Sequence, residues 1–127
     1  MSPELEQALY DRYPPIFAGR HARPCESGMG WGCMVDDGWY ALLDELCSKL
    51  QRETDQRGAP QVVALQVKEK FGSLRFRVRE ASLRQRVWIR RAERASMRTC
   101  EVCGRPGLCI YGSESGARTR CEEHRSE

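Results

Sequence analysis

A membrane-spanning helix requires an apolar stretch of about 18 residues or more, and the sequence contains none. The first residues, Met1 to Glu4, are acidic and no apolar segment follows them, so no signal peptide is expected. The seven cysteines are an odd number, and without an export signal they indicate reduced thiols. We therefore expect a cytoplasmic protein that has no membrane partner.

The sequence also has few of the groups that enzymes use. Histidine is scarce, and His21 is the only one outside the C-terminal motif described below. Glycines cluster at 28–32, but no Gly-Lys-Ser/Thr follows them, which excludes a phosphate-binding loop of that type. No small-molecule substrate is evident. We predict a non-enzymatic protein. A treble-clef nuclease is a minor alternative, because such an enzyme needs a nearby histidine base and His21 lies far away in sequence.

Cysteine and histidine are instead concentrated at the C-terminal end. Cys100, Cys103, Cys121 and His124 form a Cys-x2-Cys pair and a Cys-x2-His pair, separated by seventeen residues. Two short pairs with a hairpin-sized gap can close on one tetrahedral ion, and thiolates with imidazole suit zinc. The spacing therefore predicts one structural Zn²⁺. Since all four ligands come from the protein, no position stays open for catalysis.

The order of elements around these ligands is that of a treble-clef zinc module. Gly104 permits a tight turn after the second thiolate, residues 106–120 have room for a hairpin, and the last pair would begin a short helix. We predict a zinc module over 99–127, attached to a core domain over 1–98. Cys109 lies in the hairpin, where a small buried side chain is favoured over a substitute ligand.

The remaining cysteines offer a weaker pattern. Cys25, Cys33 and Cys47, with His21, have irregular spacing, and Cys47 falls on an apolar helix face. Ordinary core and loop cysteines are favoured over a second metal site.

An α+β fold is predicted for the core, with a small antiparallel sheet packed by helices. A short helix starts at Ser2, which can cap it, and stops before Pro14. The clearest helix covers 37–56, is capped by Asp36 or Asp37, and carries one apolar face from Trp39 to Leu50. A third helix covers 82–97.

A hairpin over 61–79 and a long loop complete the predicted core. Leu74, Phe76 and Val78 alternate on one strand, and Val63, Leu65 and Val67 on the other. The third helix starts with a capping box of Ser82 and Gln85. Residues 13–35 are predicted to form an irregular surface loop, anchored by Phe17 and Trp31.

Charge is distributed unevenly behind the overall +3. Residues 68–98 carry eleven basic and three acidic side chains, whereas residues 1–67 carry six and ten. Arginines recur on one strand at Arg75, Arg77 and Arg79, and on the third helix at every fourth position from Arg86 to Arg98. Like charges at that spacing destabilise a helix, which favours an anionic partner. Lys68, Lys70 and Phe71 form a second candidate, a binding tip at the hairpin turn.

Three interpretations of this basic block stay open. Its candidate binding residues are Lys68, Lys70, Phe71, Arg75, Arg77, Arg86, Arg90 and Arg94, which can grip phosphates or acidic protein surfaces. Alternatively, the arginines are solvated or pair with Asp44, Glu45, Glu53 and Asp55 within the fold. No RNA-recognition, helix-turn-helix or homeodomain motif is present, so nucleic acid would be bound through its backbone.

The run from Gln66 to Phe76, Gln-Val-Lys-Glu-Lys-Phe-Gly-Ser-Leu-Arg-Phe, resembles a signature of small uncharacterised zinc-binding proteins of bacteriophages and prophages. The resemblance extends to Asp37-Gly38-Trp39-Tyr40, Ser96 and the terminal Cys-x2-Cys-Gly and Cys-x2-His pairs. It covers about residues 33–124. It implies a mobile-element origin, a bound zinc ion and a bacterial cytoplasm, and it supplies no activity.

Two functions follow as expectations. The first is a non-enzymatic zinc protein that engages the nucleic-acid backbone through its basic surface. The second is a phage-encoded inhibitor or adaptor that binds an acidic host protein, such as a defence or transcription component.

Overall fold

Within residues 1–112 and 116–125, which the computed structural model describes, three α-helices and two small sheets form an α+β fold. The helices are α1 (Pro3–Arg12), α2 (Tyr40–Arg57) and α3 (Leu83–Ser96); the strands are β1 (Cys33–Met34), β2 (Ala64–Lys70), β3 (Ser73–Val78), β4 (Leu108–Gly112) and β5 (Gly116–Arg120). Residues 113–115, within the predicted hairpin over 106–120, and the last two residues of the predicted zinc module lie outside the described part. No described helix is long and apolar enough to cross a membrane.

The main sheet is mixed rather than antiparallel. Strands β2 and β3 form the predicted hairpin, but β1 adds to the other side of β2 in parallel, with Cys33 opposite Val67. The prediction of a purely antiparallel sheet was wrong on this point. A two-residue strand is too short to leave an alternating pattern in the sequence.

A bulge in β2 changes which residues face the core. The pairing register shifts between Ala64 and Gln66, so Val62, Ala64 and Val67 are buried. Val63 and Leu65, which strict alternation predicted for the core with Val67, are only half-buried. One extra residue in a strand reverses the alternation on one side of it. On β3, Leu74 and Phe76 are buried and the arginines point outward, as predicted.

Helix α3 covers the free edge of β3. The backbone N–H of Leu74 donates to Ser96 Oγ at 2.9 Å, and that of Phe76 donates to Glu93 Oε2 at 3.0 Å. These two groups would otherwise be unpaired donors at a sheet edge. The side chains of α3 therefore replace a fourth strand.

A buried glutamine joins α3 to α2. The predicted capping box is confirmed: Ser82 Oγ accepts from the backbone of Gln85, and Gln85 Oε1 accepts from the backbone of Ser82 at 2.8 Å. Gln85 Nε2 also donates to the carbonyl of Leu50 and to Thr54 Oγ1, both at 3.1 Å. Because its side chain is fully buried, each of these bonds satisfies a group that water cannot reach.

The start of α2 differs from the prediction. Residues 37–39 form a 3-10 turn, and α2 begins at Tyr40. Neither Asp36 nor Asp37 caps it, because Asp37 Oδ1 instead accepts from the backbone N–H of Ser2 at 2.7 Å. Ser2 itself caps α1, as predicted.

The loop over 13–35 is anchored by different residues from those predicted. Phe17 is buried, but Trp31 is 71% exposed, so its predicted role as an anchor was wrong. Ile16 and Met29 fill the core instead. Gly32, with φ of 77°, turns the chain directly after Trp31, and the strand β1 then begins. One hydrophobic core joins this loop to the three helices and to the inner face of the main sheet.

We predict that Gln85→Leu destabilises the protein by about 2 kcal/mol, because it removes the buried hydrogen bonds of the Gln85 side chain to Leu50, to Thr54 and to the backbone N–H of Ser82. Urea denaturation gives the free energy of unfolding. The exposed glutamine Gln56, changed to leucine, is the matched control and should stay within about 0.5 kcal/mol of wild type. Equal effects of the two substitutions would contradict this role.

Candidate metal centre and basic surface

The structure brings the two C-terminal ligand pairs together. One donor atom each from Cys100, Cys103, Cys121 and His124 lies within 4.8 Å of the others. The Cys103 and Cys121 sulfurs are 3.7 Å apart, and the Cys100 sulfur is 3.6 Å from His124 Nδ1. In an ideal tetrahedral zinc site, two sulfurs lie about 3.8 Å apart and sulfur and nitrogen about 3.6 Å apart, close to these two distances. The cluster can therefore hold one metal ion.

Backbone N–H groups prepare Cys100, the first ligand, for a cation. Burial alone would raise the pKa of the Cys100 thiol, but backbone N–H groups of Cys121, Cys103 and Val102 stabilise the thiolate and lower the pKa to about 6. Gly104, with φ of 82°, makes the predicted tight turn after Cys103. At neutral pH the Cys100 side chain is therefore largely the thiolate, the form that binds metals.

The second pair follows a two-stranded sheet. Strands β4 and β5 pair in an antiparallel register, and Cys121 comes directly after β5. A 3-10 turn over Glu122–His124 lies where a short helix was predicted, and it brings the imidazole back, with Nδ1 3.1 Å from the Cys121 sulfur. Arg120 and Glu101, which sequence reasoning missed, form a buried ion pair at 3.3 Å that links β5 to the first pair.

The 3-10 turn that precedes α2 packs directly against the backbone around the first ligand pair. The backbone N–H of Gly38 donates to the carbonyl of Glu101 at 2.8 Å, and Trp39 Nε1 donates to the carbonyl of Thr99 at 2.8 Å. A Cβ at Gly38 would overlap the carbonyl oxygen of Cys100. The predicted boundary at residue 98 is thus crossed by close backbone contacts, and only glycine fits at position 38.

The same C-terminal segment holds the turn between β2 and β3. Thr119 Oγ1, which is buried, donates to the carbonyl of Gly72 at 2.6 Å. Glu69 Oε2 accepts from the backbone N–H of Gly72 at 2.7 Å, while its other oxygen accepts from Arg118 at 2.8 Å. Glu69 therefore points away from Lys68 and Lys70 and fixes the turn. Nothing in the sequence indicated that Glu69 would differ in role from Lys68 and Lys70.

The other cysteines lie apart from the cluster. Cys33 and Cys47 are buried, and burial raises the pKa of both thiols, that of Cys33 to about 12. Cys25 is exposed, and Cys109 is half-buried with its sulfur 3.9 Å from the carbonyl oxygen of Phe71. Among the described residues, one group of three or more His, Cys, Asp or Glu side chains is close enough to hold a metal ion: Cys100, Cys103, Cys121 and His124.

The outer face of the β2–β3 hairpin collects much of the basic block. One groove is lined by Gln66, Lys68, Lys70, Phe71, Arg75, Arg77 and Glu93. The paired register places Lys68 opposite Arg75 and Gln66 opposite Arg77, so these four side chains share a face. We call this groove, together with its continuation described next, the basic surface.

The continuation runs between β3 and α3. Arg77 also lines a second groove with Arg86 and Arg90, which project from successive turns of α3. Arg94 is exposed one turn further along and lines neither groove. The structure therefore joins seven of the eight predicted binding residues and leaves Arg94 at the periphery.

Within the described part of the chain, the cations of the basic surface form no ion pairs. The predicted alternative of pairing with acidic residues of α2 holds for Arg84, which lies 3.8 Å from Glu53. Asp44 pairs with Arg12, and Glu45 pairs with Lys49. The acidic residues of α2 are thus bound elsewhere, and the charge of the basic surface faces solvent.

The chain matches no protein-family model, no curated protein and no solved structure. Function is therefore inferred from the metal cluster and the surface of this chain alone.

We predict that the protein binds one divalent ion per chain and that Cys100→Ser loses it. Because the ion closes the C-terminal segment, the variant and the chelator-treated wild type should both melt at lower temperature. Elemental analysis after dialysis and thermal unfolding measure these effects. Cys109→Ser and Cys25→Ser are matched controls, and loss of the ion in either would contradict the assigned ligand set.

We predict that Gly38→Ala destabilises the protein by about 1–3 kcal/mol, since its Cβ has no space beside the carbonyl of Cys100. Gly30→Ala is the control, because its Cβ would meet nothing closer than 3.8 Å. Denaturant unfolding of the metal-loaded proteins compares them. Similar stability of the two variants would show that α2 does not pack closely on the metal cluster.

Proposed function

We propose that this protein is a non-enzymatic zinc protein that binds nucleic acid through the basic surface. The single observation that carries the proposal is the gathering of cations from β2, β3 and α3 on one face without internal ion pairs among the described residues. Holding like charges together costs free energy, and a phosphate backbone offsets that cost while releasing its counterions. No base-reading element is required for such binding.

Zinc is the proposed ion because three thiolates and one imidazole form its common structural ligand set. Four protein donors complete a tetrahedron, so the ion is assigned a structural role in a treble-clef-like module. Through Thr119 and Glu69, the zinc module fixes the turn at Gly72 that ends the basic surface. The ion thereby supports the binding surface without contacting the ligand.

A second candidate is an adaptor or inhibitor that binds an acidic protein. Trp31, Met34 and Phe71 are exposed beside the cations, and tryptophan with arginine is typical of the centres of protein interfaces. Affinity capture from bacterial lysate with and without nuclease distinguishes the two functions. A stoichiometric acidic protein retained after nuclease would favour this candidate.

We predict that Arg77→Glu combined with Arg90→Glu weakens nucleic-acid binding more than about 10-fold at moderate salt, because both side chains would neutralise phosphates. The slope of log affinity against log salt should fall by about one for each phosphate that is no longer neutralised. Fluorescence anisotropy with a labelled 20-nucleotide DNA across a salt series measures both quantities.

The matched control is Arg52→Glu combined with Arg91→Glu. Both residues lie outside the two grooves, so the net charge changes equally while the basic surface stays intact. Near wild-type affinity of this control is expected. Equal loss in both double variants would mean that net charge, and not this surface, determines binding.

A further inference from the structure

Two exposed aromatic rings lie near opposite ends of the hairpin part of the basic surface. Phe71, 66% exposed, lines the groove that contains Lys68 and Arg75. Trp31 lines an adjoining groove. Gln66 and Arg77, which are opposite each other in the β2–β3 ladder, line both grooves. The two rings therefore flank one continuous face of polar and cationic side chains.

Phe71 stands where its backbone would favour another residue. It has φ of 55° and Gly72 has φ of 81°, which makes a two-residue hairpin turn with both residues in the left-handed region. Asparagine or glycine suits that position, whereas a bulky side chain there is an outlier. The ring is mostly in solvent and has the Lys70 ammonium 5.5 Å from its centroid. Core packing therefore does not account for an aromatic residue at this tip.

The turn that presents Phe71 is nevertheless fixed by contacts of Gly72 with β2 and with the C-terminal segment. The carbonyl of Gly72 accepts from Thr119, its N–H donates to Glu69, and a Cβ there would lie 2.8 Å from the Cys109 sulfur. A strained residue persists when its surroundings determine its conformation, and such residues are typical of ligand-contacting sites. The backbone that carries the ring is thus fixed before any ligand arrives.

The strand that connects the two grooves is long enough for several nucleotides. Gln66, which lines a groove with Trp31, precedes Phe71 by five positions, and this corresponds to about 17 Å along the strand. Two carboxylates line this face: Glu93, which accepts from the backbone N–H of Phe76, and Glu26, which pairs with Arg23. Among the described residues the charge of Glu93 is not paired with a cation, but Lys68, Lys70, Arg75 and Arg77 outnumber it along the groove, so the face remains attractive to a phosphate backbone.

We propose that the ligand of this face is single-stranded nucleic acid, with bases stacked on Phe71 and Trp31 and phosphates held by Lys68, Arg75 and Arg77. This inference rests on the proposed nucleic-acid binding. A duplex keeps its base faces stacked within itself, whereas a single strand offers them to protein rings. DNA and RNA single strands share this chemistry.

The test compares the metal-loaded full chain on dT20, rU20 and a 20-base-pair duplex at fixed salt. Wild type should bind at least one of the single strands more tightly than the duplex. Phe71→Leu and Trp31→Ala should each weaken single-strand binding about 5- to 100-fold with an unchanged salt slope. Phe71→Tyr, which keeps the ring, should retain affinity. The relative affinities for dT20 and rU20 identify the preferred strand.

Two further variants separate stacking from folding. Phe71→Asn suits the left-handed turn, so its melting temperature should equal or exceed that of wild type while single-strand affinity falls. Tyr111→Ala removes an equally exposed ring from the β4–β5 hairpin, outside the basic surface, and should leave binding unchanged.

Equal affinity for duplex and single strands, with wild-type binding by Phe71→Leu and Phe71→Asn, would overturn this inference and leave backbone binding intact. No binding to any of the three ligands, even at low salt, would overturn the proposed function and this inference together. Loss of affinity in Tyr111→Ala equal to that in Phe71→Leu would also overturn the assignment of stacking to Phe71.

Discussion

Closure of the chain by Cys100, Cys103, Cys121 and His124 is the constraint on which the rest of the structure depends. In the described part of the C-terminal segment, the buried residues are two of these cysteines together with Glu101, Ala117 and Thr119, so little apolar surface is available to hold it. Small units without a sufficient core require a metal, disulfides or a partner. A metal ion held by the donor cluster would take that role together with hydrogen bonds to the core, and the segment in turn supports its neighbours.

Residues beside that cluster form hydrogen bonds with the rest of the protein on two sides. Towards the helices, Glu101 and Thr99 receive hydrogen bonds from Gly38 and Trp39, which fix the start of α2. Towards the sheet, Thr119 fixes Gly72 and so the tip of the β2–β3 hairpin. A structural ion at the C-terminus would thereby determine the position of the cations and of Phe71, although none of these touches it.

The parts of the fold with long or repeated local signals were predictable. The capping box of Ser82 and Gln85, the apolar face of α2 and the ligand spacing each depend on residues close in sequence. Three features were not predictable, because each depends on contacts between distant segments: the parallel strand β1, the bulge in β2 and the exposure of Trp31. Asp37 does not cap α2 for the same reason, since its carboxylate accepts from the backbone N–H of Ser2.

The sequence by itself determined the four candidate metal ligands, the α+β class and the basic block, because spacing, periodicity and charge can be read locally. Only the tertiary structure decided that arginines from β3 and α3 share one face, that Glu69 turns away from it, and that Phe71 projects from a fixed turn. Side chains far apart in sequence become neighbours only when strands pair and a helix covers an edge, so their arrangement follows from packing across the whole chain.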